Sequence, residues 1–394
     1  MSAPRLQLLN EEGRRRQASE TLAGSASLGN PASARRTEFD EEVGTRQLAE
    51  ILDSYAAELH REQLEDAYRH MALTRAFDQE ATSLQRQGEL GLWIPIRGQE
   101  AAQVGSALAI PAQDMIFPAY REHAVAHVRG LDLAKLLPVF RGTRQGGWNP
   151  KDHNFHLYTF VIGAHTLHAV GYAQAIQQDR RRGIENESQS VTVYFGDGAT
   201  SQGDVNEALV FAAASEAPVL FFCQNNQWAI SVPTVRQSRT PLAYRADGFG
   251  IPRLRIDGND LLASYAATCY AMDRIHDGHG PFFIEAVTYR MGAHTTSDDP
   301  TRYRSRAEEQ SWETRDPLAR VRKLLEAQGT TQGFFDEIDA EGREFCARVR
   351  ERTKANSAGE FAEVFSNVYA TPNTKLDSEL AALAAYRARE EGVR

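Results

Sequence analysis

The sequence predicts an α/β protein built on a doubly wound, mostly parallel sheet flanked by helices, with helical extensions at both ends. Three observations carry that prediction. Short β-branched and aromatic runs recur through the middle of the chain, as "SVTVYF", "PVLFFCQ", "RLRID" and "FFIEAVTYR". Amphipathic stretches such as "DVNEALVFAAASE" and "LLASYAATCYAMDRIH" separate them. Buried runs joined through helices require crossover connections, and crossovers make parallel strands.

In chain order, residues 1–45 are rich in Arg, Glu, Ser, Ala and Gly and read as a flexible N-terminal arm. Apolar residues then recur at three- and four-residue spacing from Leu48 to Gln87, which predicts helix, and a further helix is expected from Glu100. The α/β domain, with these helices at its start, is expected over 46–304. From 305 to 394 the sequence reads as charged amphipathic helices with no further strand. No internal repeat interrupts this plan.

Composition narrows the function. The 394 residues are 42% hydrophobic and 25% charged, as in ordinary soluble proteins. A net charge of −9 argues against a nucleic-acid surface, and the one tight basic cluster, Arg14-Arg15-Arg16, falls in the arm. Cys223, Cys269 and Cys346 form neither a metal-ligand pattern nor a disulfide framework, so a cytoplasmic location is expected. The apolar runs are far below membrane-spanning length, and the first residues lack an apolar signal core.

The sheet directs attention to two motifs. In open α/β sheets, ligands gather at the carboxyl ends of the strands. Gly196-Asp197-Gly198 ends one predicted strand, and Asn225-Asn226 ends the next. The glycines allow close backbone approach, and a helix starting near Gly203 aims free N–H groups at the same place. Asp197 and Asn226 add hard oxygen ligands suited to Mg²⁺, which takes its remaining ligands from phosphate and water. Taken singly, the first motif reads as a turn and the second as a strand end. Together they read as an anchor for a magnesium diphosphate. Neither a Walker loop nor a complete Rossmann fingerprint is present.

A GDG, about thirty residues and then NN resembles the thiamine diphosphate motif. The surrounding text resembles the α subunit of the decarboxylating component of 2-oxoacid dehydrogenase complexes, over roughly residues 50 to 390. Matching segments include "RGQEAAQVGSAL", "FPAYREHAV", "VIGAHTLHAVG", "LRIDGND" and "YRMGAHTTSDDPTRYRS". The resemblance implies a thiamine diphosphate-binding fold, with Asp197, Asn226 and the Trp228 carbonyl as magnesium ligands. It implies that the amides of Gly198 and Ala199 hold the diphosphate, that Tyr120 and Arg121 lie beside the cofactor, and that Ile162 contacts the aminopyrimidine. His294 matches the active-site histidine and is assigned both catalysis and cofactor contact.

Such a chain is half an active site. The acid beside the aminopyrimidine is expected from a β subunit in an α2β2 assembly, with a lipoyl-bearing acyltransferase core as acceptor. The substrate is expected to be a small 2-oxo acid. Branched-chain substrates are favoured because Ile94, between Trp93 and Pro95, suits an apolar tail, and pyruvate is the alternative. Neither nucleic acid nor membrane is expected as a partner.

Some positions depart from the pattern or read differently. Ala164 and His165 replace the Thr and Gln of a potassium site, and Gln224 replaces an Arg that could reach phosphate. Thr295 and Ser305 align with positions phosphorylated in animal relatives. His123 and His127, four apart, have the spacing of a metal pair but lack a third ligand, and Glu207 reads as helix surface. Two other classes stay open at this point: a Mg-dependent phosphate-transfer enzyme, and a non-catalytic interaction subunit.

Overall fold

The computed structural model describes residues 4–22, 26–27, 45–144, 146–184, 189–355, 362–366 and 368–391. Its main sheet has six strands in the order β1-β7-β8-β4-β3-β2. They are β1 (Ala26–Ser27), β2 (Met115–Phe117), β3 (Val191–Gly196), β4 (Val219–Asn225), β7 (Arg253–Asp257) and β8 (Phe282–Val287). A separate two-stranded ribbon pairs β5 (Trp228–Ala229) with β6 (Val232–Pro233). Within the main sheet only β1 runs antiparallel.

Side-chain alternation along the central strands explains the two layers. Val191, Val193 and Phe195 of β3, with Val219, Phe221 and Cys223 of β4, face one core. Helices Ala164–Arg181 and Gly203–Ser215, which connect β2 to β3 and β3 to β4, cover that core. Tyr194, Leu220 and Phe222 face the other core, packed by Glu100–Ala109 and by Leu261–His276, the β7-to-β8 connection. Crossovers on both faces make the sheet doubly wound, as predicted. Two helices flank this core at the start, Thr45–Glu58 and Arg61–Arg86, separated at Leu59–His60. After the 294–305 loop the described residues are helical, and Gln332–Ala355 packs along Arg61–Arg86.

One prediction needs correction. The arm expected over 1–45 is not free over 4–22, where Leu6, Leu8 and Leu9 are buried. Leu6 adds a parallel bridge to Ile256 of β7, with its N–H donating to the Arg255 carbonyl at 2.8 Å. Asp260 accepts the N–H groups of Leu8 at 2.5 Å and Leu9 at 2.6 Å. An exposed sheet edge is a liability that the chain's own start covers here, and composition alone carries no trace of that pairing. Most of 23–44 lies outside the described residues. The sequence reading did not identify β2, a three-residue strand too short to register as a periodic run.

Candidate active site

β3 and β4 are hydrogen-bonded neighbours, with Gly196 opposite Gln224. The two motifs therefore end side by side and open into one cavity of about 250 Å³. Its wall includes Tyr120, Arg121, Ile162, Asp197, Gly198, Ala199, Asn226, Trp228 and His294, every site residue predicted from sequence. They come from five separate loops, so their convergence is a product of the fold.

Asp197 starts a 3-10 turn (Asp197–Ser201) that leads into helix Gly203–Ser215. Its carboxylate is buried, and Oδ2 accepts from Thr234 Oγ1 at 2.8 Å and Gln237 Nε2 at 3.1 Å. It forms no ion pair among the described residues. Burial pushes its carboxyl upward, opposed by those two donors. A buried anion without a cationic partner fits a divalent cation in the cavity. Among the described residues Asn226 Oδ1 accepts only the Trp228 N–H, at 3.3 Å, and the Trp228 carbonyl accepts from Arg290 Nη1 at 3.0 Å. Each oxygen retains a lone pair, so all three could ligate a metal. Gln227 and Ile230, flanking Trp228–Ala229, have φ of 72° and 54°. Left-handed backbone is costly at a β-branched residue such as Ile230, and strain of this kind concentrates at ligand sites.

The cavity also suits an anion. Gly163 and Gln202 precede helices Ala164–Arg181 and Gly203–Ser215, and both line the wall, so two helix starts, the positive ends of their dipoles, border the cavity. At Gly198 a Cβ would lie 2.8 Å from that of Ala229, which explains the glycine by close approach.

His294 is half-buried. Its Nδ1 lies 3.2 Å from Arg290 Nη1 and 3.3 Å from Arg121 Nη2. Its backbone N–H donates to Asp298 Oδ2 at 2.8 Å. Burial, then the charges of Arg121 and Arg290, pull the imidazole down to about 3. The ring is therefore neutral near pH 7, with Nδ1 as acceptor and Nε2 carrying the hydrogen. Arg121 lines the cavity, yet its guanidinium donates to the Pro95 carbonyl and to the His294 carbonyl at 3.1 Å. The phosphate contact expected of it competes with these bonds. Tyr120 stacks on Phe160 at 5.8 Å and meets the His294 ring edge-on at 6.4 Å.

The remaining expectations divide. Ile94 and Trp93 are buried away from the cavity, with Trp93 stacked on His123 at 4.5 Å, so the expected apolar tail site at Ile94 is corrected. Both side chains turn into the helical core because that core buries more apolar surface than the cavity wall would. His123 and His127 do not converge as a metal pair. The His123 ring bonds Tyr158 Oη at 2.7 Å and the Ile94 carbonyl at 2.9 Å, while the His127 ring packs on His70. Glu207 is exposed, as read. His165 directs Nε2 to the Tyr194 carbonyl at 2.7 Å, and Ala164 begins the helix. Gln224 accepts from Gln103 at 2.8 Å and donates to Glu122 Oε1 at 2.6 Å. Thr295 accepts from the Ser297 N–H at 3.2 Å, and Ser305 caps helix Arg306–Glu313.

Glu122 and Gln99 also line the cavity and were missed, although each lies within a quoted motif. Thr234 and Gln237, which hold Asp197, gave no sequence signal.

A family model described as "Dehydrogenase E1 component" matches residues 68–362. The chain belongs to the dehydrogenase E1 component family. E1 components are oxidoreductases, and membership implies thiamine diphosphate as the cofactor. Among similar proteins is the 3-methyl-2-oxobutanoate dehydrogenase subunit alpha of Mycobacterium tuberculosis (strain H37Rv), 44% identical over 340 residues, covering 86% of this chain and 91% of that one. Another is the pyruvate dehydrogenase E1 component subunit alpha of Staphylococcus aureus (strain N315), 42% identical over 281 residues, covering 71% and 74%. Both are alpha subunits by name, and the likeness of this E1 chain to them implies a β subunit and complex partners in general. Among the described residues no helix is long and apolar enough to cross a membrane.

Proposed function

We propose that this E1 chain is the α half of an active site that oxidatively decarboxylates branched-chain 2-oxo acids and passes the acyl group to lipoyl groups of an acyltransferase core. The observation that carries the reading is the buried, unpaired carboxylate of Asp197 meeting Asn226 at adjacent strand ends, with His294 across the same cavity. The name of the mycobacterial relative supports the substrate class, and pyruvate is the second reading, supported by the staphylococcal one.

In this reading Asp197, Asn226 and the Trp228 carbonyl hold Mg²⁺, and the Gly198 and Ala199 amides hold the diphosphate. Tyr120, Arg121 and Ile162 line the cofactor's remaining contacts. Thiamine diphosphate, when bound, supplies the nucleophilic carbon and the electron sink for decarboxylation. His294 contributes a neutral Nε2–H that donates to substrate or to the incoming lipoyl group. Arg290 and Arg121 keep its proton on that nitrogen. Ile162 and Ile230 of the cavity wall, and Phe160 stacked on Tyr120, are exposed, an apolar rim suited to a β subunit in an α2β2 tetramer. The three free cysteines suit a reducing cytoplasm.

The test is to purify the chain with its β subunit and follow thermal stability with Mg²⁺ plus thiamine diphosphate. Lipoyl acylation is then compared between 3-methyl-2-oxobutanoate and pyruvate. Stabilisation with preferred use of the former is expected. Absence of any cofactor effect on the complex would refute the reading, and preference for pyruvate would select the second.

A further inference from the structure

Asp78 lies on helix Arg61–Arg86 with its carboxylate buried, and it is not part of the cavity wall. Three donors from one loop converge on it. Trp93 Nε1 reaches Oδ1 at 2.8 Å, the Ile96 N–H reaches Oδ1 at 3.1 Å, and the Arg97 N–H reaches Oδ2 at 3.3 Å. The carboxylate thereby fixes the inner side of residues 93–97. It forms no ion pair among the described residues.

The outer side of that loop presents carbonyls to the active-site elements. The Pro95 carbonyl accepts from Arg121 Nη1, and the Ile94 carbonyl pairs with His123 Nε2 at 2.9 Å. The Trp93 carbonyl accepts the Thr296 N–H at 2.9 Å, and the Arg97 carbonyl accepts the Met291 N–H at 3.1 Å. Arg121 then stands 3.3 Å from His294 Nδ1, and Thr296 and Met291 bracket His294 in sequence. Hydrogen bonds of the 93–97 segment thus tie helix Arg61–Arg86 to both active-site loops, beside the direct packing of Phe77 on His123. A shift there moves both the Arg121 fork and the loop that carries His294.

We propose that Asp78 is a positioning residue for the reaction, setting Arg121 and His294 through the 93–97 loop. This rests on the function proposed above. Asp78 touches no reacting group itself.

Charge matters to this role, because three N–H donors converge on a group that accepts at both oxygens only when ionised. Burial raises the carboxyl to about 6, opposed by the three donors and reinforced by Glu100. The charged and titratable groups facing it are Glu100, which pairs with Arg75 at 2.8 Å, Arg121, and His123 behind Trp93. His123 is held neutral, its imidazole pulled down to about 3. A carboxyl raised from 3.8 to about 6 binds its proton more tightly in the folded chain than in the unfolded one. Its contribution to stability therefore improves as pH falls from 6 towards 4. Protonation also removes acceptor capacity from the loop. Stability and turnover should move in opposite directions through this one group.

The experiment compares wild type with Asp78→Asn in the assembled α–β complex. Asn keeps the shape and one acceptor oxygen but loses the charge and the Arg97 bond. The melting temperature at pH 7.5 should equal or exceed that of wild type, and calorimetric affinity for Mg-thiamine diphosphate should persist. Turnover should fall on the order of ten-fold with little change in KM, and the acid limb of kcat near pH 6 should vanish. In the cofactor-free complex, amide exchange over 93–97 and 294–297 should accelerate. Turnover within about two-fold of wild type, a melting temperature falling in step with turnover, or an intact acid limb each overturns the proposal. If the wild-type complex turns over no 2-oxo acid, the proposed function has failed. The exchange arm then decides alone, and unchanged protection of both loops overturns the role of Asp78.

Discussion

Arg290 Nη1 lies 3.2 Å from Nδ1 of His294 and also donates to the Trp228 carbonyl at 3.0 Å. One fully buried guanidinium thus joins the loop of the candidate cation site to the loop of the candidate catalytic residue. Its Nη2 continues the junction, donating at 2.8 Å to both the Ile230 carbonyl and Tyr303 Oη. Arginine suits the position because its planar fork serves several acceptors at once. Lysine at 290 would supply the charge without the geometry.

His294→Ala should separate binding from catalysis. The imidazole lies outside the proposed metal and diphosphate ligands, so cofactor affinity should survive. Loss of one positioned donor typically costs on the order of 10²–10³ in rate. Calorimetry and lipoyl acylation on one preparation of the complex check both halves. Unchanged acylation would leave His294 as a loop residue only.

Asp197→Asn should abolish binding of Mg-thiamine diphosphate while leaving the cofactor-free chain folded. The amide keeps an acceptor for Thr234 and removes a buried charge that has no ion-pair partner among the described residues. Equal or higher melting temperature without cofactor, and no shift on adding it, is the expected pair of results. A normal calorimetric affinity would remove Asp197 from the anchor.

Gly98→Ala should destabilise the fold. Its φ is +99°, and a Cβ would lie 2.2 Å from the Tyr289 carbonyl oxygen. Backbone strain alone costs on the order of 1–3 kcal/mol at such a position, and the clash adds to it. A melting temperature within error of wild type would show that the 97–99 turn relaxes freely.

His127→Phe should protect the protein against acid. The His127 ring stacks on Phe345, and its Nε2 is buried without a hydrogen-bond partner among the described residues. Burial, then the neighbouring His70, lowers its imidazole from 6.5 to about 4. Between those values the unfolded chain takes up a proton that the folded chain refuses, so stability falls as pH falls from 6.5 towards 4. The slope approaches about 1.4 kcal/mol per pH unit for one such proton. Removing the group removes that slope, and the gain in melting temperature over wild type should grow from pH 7.5 to pH 5. A constant difference would place the acid sensitivity elsewhere.

Much of the site was legible before any tertiary contact was known. Asp197 and Asn226 could be read because they end consecutive apolar runs, and parallel strands bring such ends together by topology alone. His294 was assigned through the family resemblance of "YRMGAHTTSDDPTRYRS", with its place after "FFIEAVTYR" in support. The central strands were equally visible, since burial on both faces writes a continuous apolar run into the sequence.

Other features were settled only by the tertiary structure. Residues 4–22 read as a mobile arm because composition reports local propensity, while their burial depends on an open edge of β7 some 250 positions away. Ile94 and Trp93 could face either the substrate or the helices, and no spacing rule distinguishes the two. The larger helical core took them. Asp78 looks like any acidic residue on an amphipathic helix until its three donors are seen around it. The sequence by itself determined which central strands form and which residues stand at their ends, because those depend on periodicity and chain direction. The partners of Asp78, Arg121 and Arg290 were decided by the tertiary structure, because hydrogen bonds between distant loops depend on distances that only the packed core sets.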